Sequence, residues 1–288
     1  MDNFEEVYNK LKKEDISCFV KKEWCGLQKR LEREILPSPK KDFLNGDVIR
    51  ETMFVSNKGF QAIKQMMGLK RIFSKKFLKK ILKGDEFGKP LIKNNKYQTS
   101  HNLIHNLSHL GVFKQSGGTL NGQKTIVEWG GGYGCMAKII MRINSEITYI
   151  IIDLPLVSCI QNNYLVELFG KDHVNLILST KNKIKENKIN ILPLGLIKSF
   201  KLKTDMFIST WALSESSKYS QDYVRKNNFF GAKNILMAYS KGSETFPRPI
   251  EIEKDLINRG AILKKVKNLK KNAESYYLMC VDNSRRVE

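Results

Sequence analysis

An α/β fold with a mainly parallel sheet behind a largely helical N-terminal region is predicted by three observations. A β-branched run, Thr125 to Val127, stops at Glu128 and meets four glycines within the five positions Gly130 to Gly134. A second apolar run, Tyr149 to Ile152, ends on an acid, Asp153, 19 residues beyond Gly134. Near the C-terminus, Ala261 to Val266 and Tyr276 to Val281 read as two strands joined by a basic turn.

The first strand and its glycines set the fold in detail. Counted from Glu128, the segment reads E-x-G-x-G-x-G through Gly130, Gly132 and Gly134. Glycines allow a sharp turn and a close approach of backbone to ligand. Met136, Ile139, Ile140 and Ile143 then fall at helical spacing, so the first amides of a helix point at that ligand. Strand, glycine loop and helix form a Rossmann-like nucleotide pocket, to which Tyr133 also belongs. At the end of the next strand, Asp153 sits where a carboxylate accepts both ribose hydroxyls, with Leu154 beside it. An adenosine-type cofactor follows.

Two cofactors compete for this pocket. Gly132-x-Gly134-x-x-Ala137 also satisfies a dinucleotide fingerprint, which would make the chain an NAD-dependent oxidoreductase acting on a nucleotide sugar. Glu128, two residues before the first glycine, the mid-chain position of the loop and the closing C-terminal hairpin favour S-adenosyl-L-methionine instead. Ile235 to Tyr239 reads as a further strand and Ile250 to Asn258 as a helix.

On these residues a family resemblance rests. Glu128 to Gly134, Tyr149 to Pro155, Gln161 to Leu165 with Phe169-Gly170, and Phe207 to Glu215 resemble the sugar O-methyltransferases of bacterial surface-polysaccharide loci. The resemblance spans roughly residues 97–282, and more faintly Phe43 to Val55. One departure is Cys135, where the family pattern has a small residue such as glycine. The resemblance implies a class I methyltransferase sheet with a C-terminal antiparallel hairpin. It also implies methylation of a sugar hydroxyl during surface-glycan assembly.

Methyl transfer is an in-line displacement, and a sugar hydroxyl needs a base to take its proton. The strand Met206 to Ser209 is expected to end at the pocket, because ligands bind at the carboxyl ends of parallel strands. Thr210 then belongs with the cofactor, and Trp211 and Ser214 with the acceptor, though Trp211 fits a core position equally. Glu215 is the first candidate base, with helix capping as its competing role, and His105 the second. His101, His105 and His109 share a helical face, as packing or pocket residues. No carboxylate or cysteine stands at ligand spacing, and an i+8 partner lies two turns away, so no metal is expected.

Composition bounds the rest. The 288 residues are 41% hydrophobic, enough for a large core, and no apolar run reaches membrane-spanning length. The first residues carry acids and no signal core, and five scattered cysteines read as reduced thiols, so a cytoplasmic protein is expected. Residues 1–120 are expected to form a helical substrate cap, with helices over Val7 to Val20 and Trp24 to Ile35. A flexible hinge at Gln115 to Thr119 is expected to lead into a cofactor domain over 121–288. Lysine-asparagine tracts at Lys93 to Lys96 and Lys181 to Lys188 read as exposed loops.

The net charge is +21, of which +9 falls in residues 64–96. There, Lys75, Lys76, Lys79, Lys80 and Lys83 occupy one helical face opposite Ile72, Phe73, Phe77, Ile81 and Leu82. Such a face suits an anionic membrane surface, which would place the protein at the inner membrane, or it is simply solvated. Nucleic acid is disfavoured because aromatics are not interleaved with the lysines, yet an RNA-binding methyltransferase-like protein stands as a further alternative. The sequence assigns no oligomeric state.

Overall fold

The computed structural model describes residues 3–53, 59–84, 86–90, 92–94, 97–240, 242–267 and 274–282. Helices α1 (Phe4–Leu11), α2 (Lys22–Ile35), α3 (Asp47–Thr52), α4 (Gly59–Ile72) and α5 (Lys75–Ile81) come first. A small ribbon of β1 (Ile92–Asn94) and β2 (Thr99–Ser100) leads into α6 (His101–Gln115). Then follow β3 (Thr125–Trp129), α7 (Cys135–Ile143), β4 (Thr148–Asp153), α8 (Pro155–Phe169), β5 (Val174–Leu176), β6 (Ile189–Pro193) and β7 (Met206–Thr210). The chain closes with α9 (Ala212–Glu215), α10 (Lys218–Lys226), β8 (Asn234–Ser240), α11 (Ile250–Asn258), β9 (Ile262–Lys267) and β10 (Glu274–Cys280).

Eight strands form one sheet in the order β5-β6-β4-β3-β7-β8-β10-β9. All pairs from β5 to β8 are parallel, and β10 runs antiparallel to both β8 and β9. The predicted Rossmann-like sheet with its C-terminal hairpin is therefore present. Strand order reverses between β3, from which the chain moves to β4 and β6, and β7, which lies on the other side. Such a switch point opens a crevice at the carboxyl ends of the strands. Near-complete burial of β3, β4, β6 and β7 matches their largely apolar runs.

Several expected boundaries move. The helix predicted over Val7 to Val20 ends at Leu11, because Asp15 accepts from Ser17 N (2.8 Å) in an Asx turn that competes with helix. The freed segment carries Phe19 into the core beside Trp129, Tyr219 and Tyr223. The Gln115 to Thr119 hinge is a closed turn. Ser116, Gly117 and Gly118 donate to the last carbonyls of α6, and a Cβ on Gly118 would strike the Phe113 ring. The basic face is also broken. Ser74 caps α5 by accepting from Phe77 N (3.2 Å), so α4 and α5 are separate and Lys83 lies past the helix end. The turn between β9 and β10, part of the Lys93 to Lys96 tract and Val55 lie outside the described residues.

The N-terminal helices do not stand apart from the sheet. Tyr8, Leu11, Leu31 and Ile35 share one buried cluster with Ile126, Ile151 and Tyr164. No helix among the described residues is long and apolar enough to cross a membrane.

Candidate functional site

At the switch point lies a cleft of about 940 Å³. Its floor is the loop Gly130 to Tyr133 with the ends of β3, β4 and β7. Residues Phe19 to Leu31 and Val48 to Met53 form one wall, and α6 another. Gly130 and Gly132 adopt φ of 76° and 54°. A Cβ on Gly130 would lie 2.0 Å from that of Ala212, so only glycine lets the loop pass beneath α9. Gly134 (φ 98°) caps α7 and packs on Leu165; it serves the helix start and does not line the cleft.

Asp153 holds the loop together. Its Oδ1 accepts from Leu154 N (2.8 Å), and its Oδ2 from Gly132 N (3.1 Å) and Gln161 Nε2 (2.9 Å). The Gly131 backbone N–H bonds it as well, so four donors from its own surroundings meet the roughly four lone-pair sites of a side chain that lines the cleft. Burial pushes Asp153 up to about 7. Glu128, 1% exposed, accepts from the Tyr149 hydroxyl (2.9 Å) and is pushed by burial to about 8. Leu154 lines the cleft at the start of α8. Tyr133 also lines it, but its ring packs on Tyr164 and its hydroxyl accepts from Asn102 Nδ2 (3.0 Å).

At the end of β7 and just past it, Thr210, Trp211 and Glu215 line the cleft, whereas Ser214 does not. The Ser214 hydroxyl donates to Trp211 O (2.6 Å), which closes the short helix and turns it from the acceptor contact expected of it. Trp211 has φ 69° and ψ −44°, a conformation that costs on the order of 1–3 kcal/mol and persists only where its surroundings impose it. Those surroundings are plain. Trp211 N donates to Ala238 O (2.6 Å), and its ring lies 5.3 Å from that of His105 and 5.1 Å from that of His109. Glu215 is pushed up to about 7, chiefly by burial, with Lys21 pulling the other way. It is thereby suited to exchange a proton near neutrality.

His105, 6% exposed, is placed differently from a base. Gln65 Nε2 donates to its Nδ1 (2.7 Å), so the neutral ring carries its hydrogen on Nε2. That Nε2 is buried and has no acceptor. Burial lowers its proton affinity to about 4. With Gln65 as donor, His105 is a buried donor in the cleft wall, and in that tautomer it does not act as the second base expected from the sequence. His109, beside it at 4.4 Å, bonds Tyr277, and His101 does not line the cleft.

Lys21, Trp24, Gln28, Met53 and Phe246 also line the cleft and were not predicted. Nothing in their local sequence marks them, since they meet the pocket only through long-range packing.

No protein-family model matches the chain, and no curated protein matches it in sequence. Solved structures similar to it include magnesium protoporphyrin IX methyltransferase from Synechocystis, with 11% identity over 75% of this chain and 96% of that one, at a TM-score of 0.43. An O-methyltransferase family protein from Burkholderia thailandensis has 9% identity over 88% and 76%, at 0.41. Human N-acetylserotonin methyltransferase has 13% identity over 88% and 74%, at 0.37. Each of these similar structures is a methyltransferase.

Proposed function

We propose that this chain is an S-adenosyl-L-methionine-dependent O-methyltransferase whose acceptor is a sugar hydroxyl, acting in bacterial surface-glycan biosynthesis. One observation carries the reading: the glycine loop, Asp153 and Glu215 converge on one cleft at the switch point of a sheet closed by an antiparallel hairpin. The residues fit the cofactor. Backbone N–H groups and a helix start lie at the loop, and Asp153 lines the cleft at the end of β4, where the ribose of such a cofactor would lie. The ionised fraction of Asp153 and Glu215 suits a sulfonium cation.

When bound, S-adenosyl-L-methionine supplies an electrophilic methyl group. Everything else falls to the chain. The walls from α2, α3 and α6 enclose the acceptor and exclude water. Glu215, ionised, accepts the proton of the attacking hydroxyl as the oxygen commits to the methyl carbon. Trp211, held rigidly, fixes the approach, which matters because displacement demands alignment. Residues Lys75 to Lys83 are read as a contact for the anionic inner membrane surface in the cytoplasm.

Titration calorimetry with S-adenosyl-L-methionine and with NAD tests the cofactor, and binding of NAD alone would overturn the reading. Mass spectrometry of the native glycan with and without the protein should show a difference of one methyl group. An unchanged glycan excludes the sugar acceptor. Salt-sensitive RNA affinity would favour the RNA-binding alternative.

A further inference from the structure

The lining of the cleft narrows the acceptor, granted the methyltransferase reading. The chain carries +21 overall. Its cleft nevertheless gathers four carboxyl groups, Glu51, Glu128, Asp153 and Glu215, against one lysine, Lys21, and no arginine. Glu51 is paired at the rim with Arg30 (2.6 Å). Lys21 is committed as well: its Nζ donates to Thr245 O (2.9 Å) and sits 5.1 Å over the Phe246 ring. His105 and His109 are kept uncharged by burial.

The donors left over are neutral. Gln28 Nε2 and His105 Nε2 are both buried without an acceptor, and both residues line the cleft. Buried donors left unpaired cost free energy that a ligand oxygen recovers. Aromatic rings complete the wall. Trp24 and Phe246 lie 6.3 Å apart, with the Trp24 indole donating to Glu215 O (3.3 Å), and Trp211 lies beyond. The negative faces of such rings attract the C–H face of a sugar. A phosphate, by contrast, would give up its hydration for a single cation, Lys21, already bonded to Thr245 O, and would lie beside Glu51 and Glu215.

We propose that the acceptor half of this cleft binds an uncharged glycosyl ring, laid against Trp24, Phe246 and Trp211 and held through its oxygens by Gln28 Nε2 and His105 Nε2. Sugar phosphates and nucleotide sugars are excluded from it.

All three tryptophans of the chain, Trp24, Trp129 and Trp211, line the cleft, so intrinsic fluorescence reports its occupancy. The protein is saturated with S-adenosylhomocysteine and titrated with methyl glycosides of neutral hexoses and deoxyhexoses. The corresponding sugar 1-phosphates and uridine diphosphate sugars are titrated in parallel. A neutral glycoside should change the emission saturably, and its phosphorylated counterparts should bind at least about tenfold more weakly. His105→Phe and Gln28→Leu should each weaken the glycoside severalfold while S-adenosylhomocysteine binds as in the parent, which also reports that the variant is folded. Should His105→Phe not fold, Gln28→Leu on the partly exposed α2 decides. Equal or tighter binding of a phosphorylated sugar overturns the proposal. So does the absence of binding by every neutral glycoside up to its solubility, or indifference to both substitutions. A parent that does not bind S-adenosylhomocysteine refutes the methyltransferase reading itself, and the proposal falls with it.

Discussion

Glu215 and Asp153 both line the cleft at the scale of single residues, and the role proposed for each makes a separable prediction. Asp153→Ala should weaken S-adenosyl-L-methionine by about 1.5–3 kcal/mol, the worth of a hydrogen bond to a charged group, as read by calorimetry. Unchanged affinity would remove Asp153 from the site. Glu215→Gln should lower turnover by about 10²–10⁴-fold with cofactor affinity intact. In the parent, turnover should rise with pH through about 7 as Glu215 ionises, and the variant should lack that rise. Glu128 yields a stability prediction with a definite sign. Its folded-state affinity for protons is raised from 4.5 to about 8, so its contribution is full below about 4.5 and is lost as pH rises toward 8. Glu128→Gln should therefore resist urea better than the parent at mildly alkaline pH and lose that advantage in acid. The places of Asp153 and Glu128 in the cleft wall were legible because spacing from a glycine loop locates them. The tautomer of His105 was not, because it depends on Gln65, forty residues away.

Elements differ in how much of them the sequence discloses. Strands β3, β4, β7 and β8, and helices α2, α6 and α11, stand close to where their apolar runs and helical spacing put them. Burial on both faces makes the strand signals plain, and one-sided apolar spacing marks α2 and α11. The N-terminal stretch misled because Asp15 to Ser17 is turn chemistry set within an otherwise helical pattern. The basic face misled for a related reason, since Ser74 can cap a helix as readily as sit inside one. Even so, Lys75, Lys76, Lys79 and Lys80 all face solvent on α5 while Leu78 and Ile81 anchor it to the core. Reversing three of these lysines to glutamate should abolish pelleting with anionic liposomes, as each contributes about 1 kcal/mol near such a surface. Equal pelleting of parent and variant, or none by the parent, would leave the face merely solvated.

The whole molecule unfolds as a unit if its cores are shared as described. Leu11 and Ile35 share one buried cluster with Ile126 and Ile151, and Phe19 shares another with Trp129 and Phe207, so neither half buries its apolar surface alone. Calorimetry should show one transition whose van't Hoff and calorimetric enthalpies agree, and two resolved transitions would separate a cap from a sheet. The bond from Lys21 to Thr245 has a consequence for the order in which the protein is made. It joins residues 224 positions apart, and Phe246 supplies the ring on which Lys21 rests. On a ribosome adding about 5–20 residues per second, the early wall waits ~10–45 s for its partner. Throughout that interval the indole of Trp24 lacks the Phe246 ring against which it finally packs. The cleft is thus completed only after Phe246 has emerged, and a chain truncated before that point is translated with the wall at Lys21 and Trp24 unsupported.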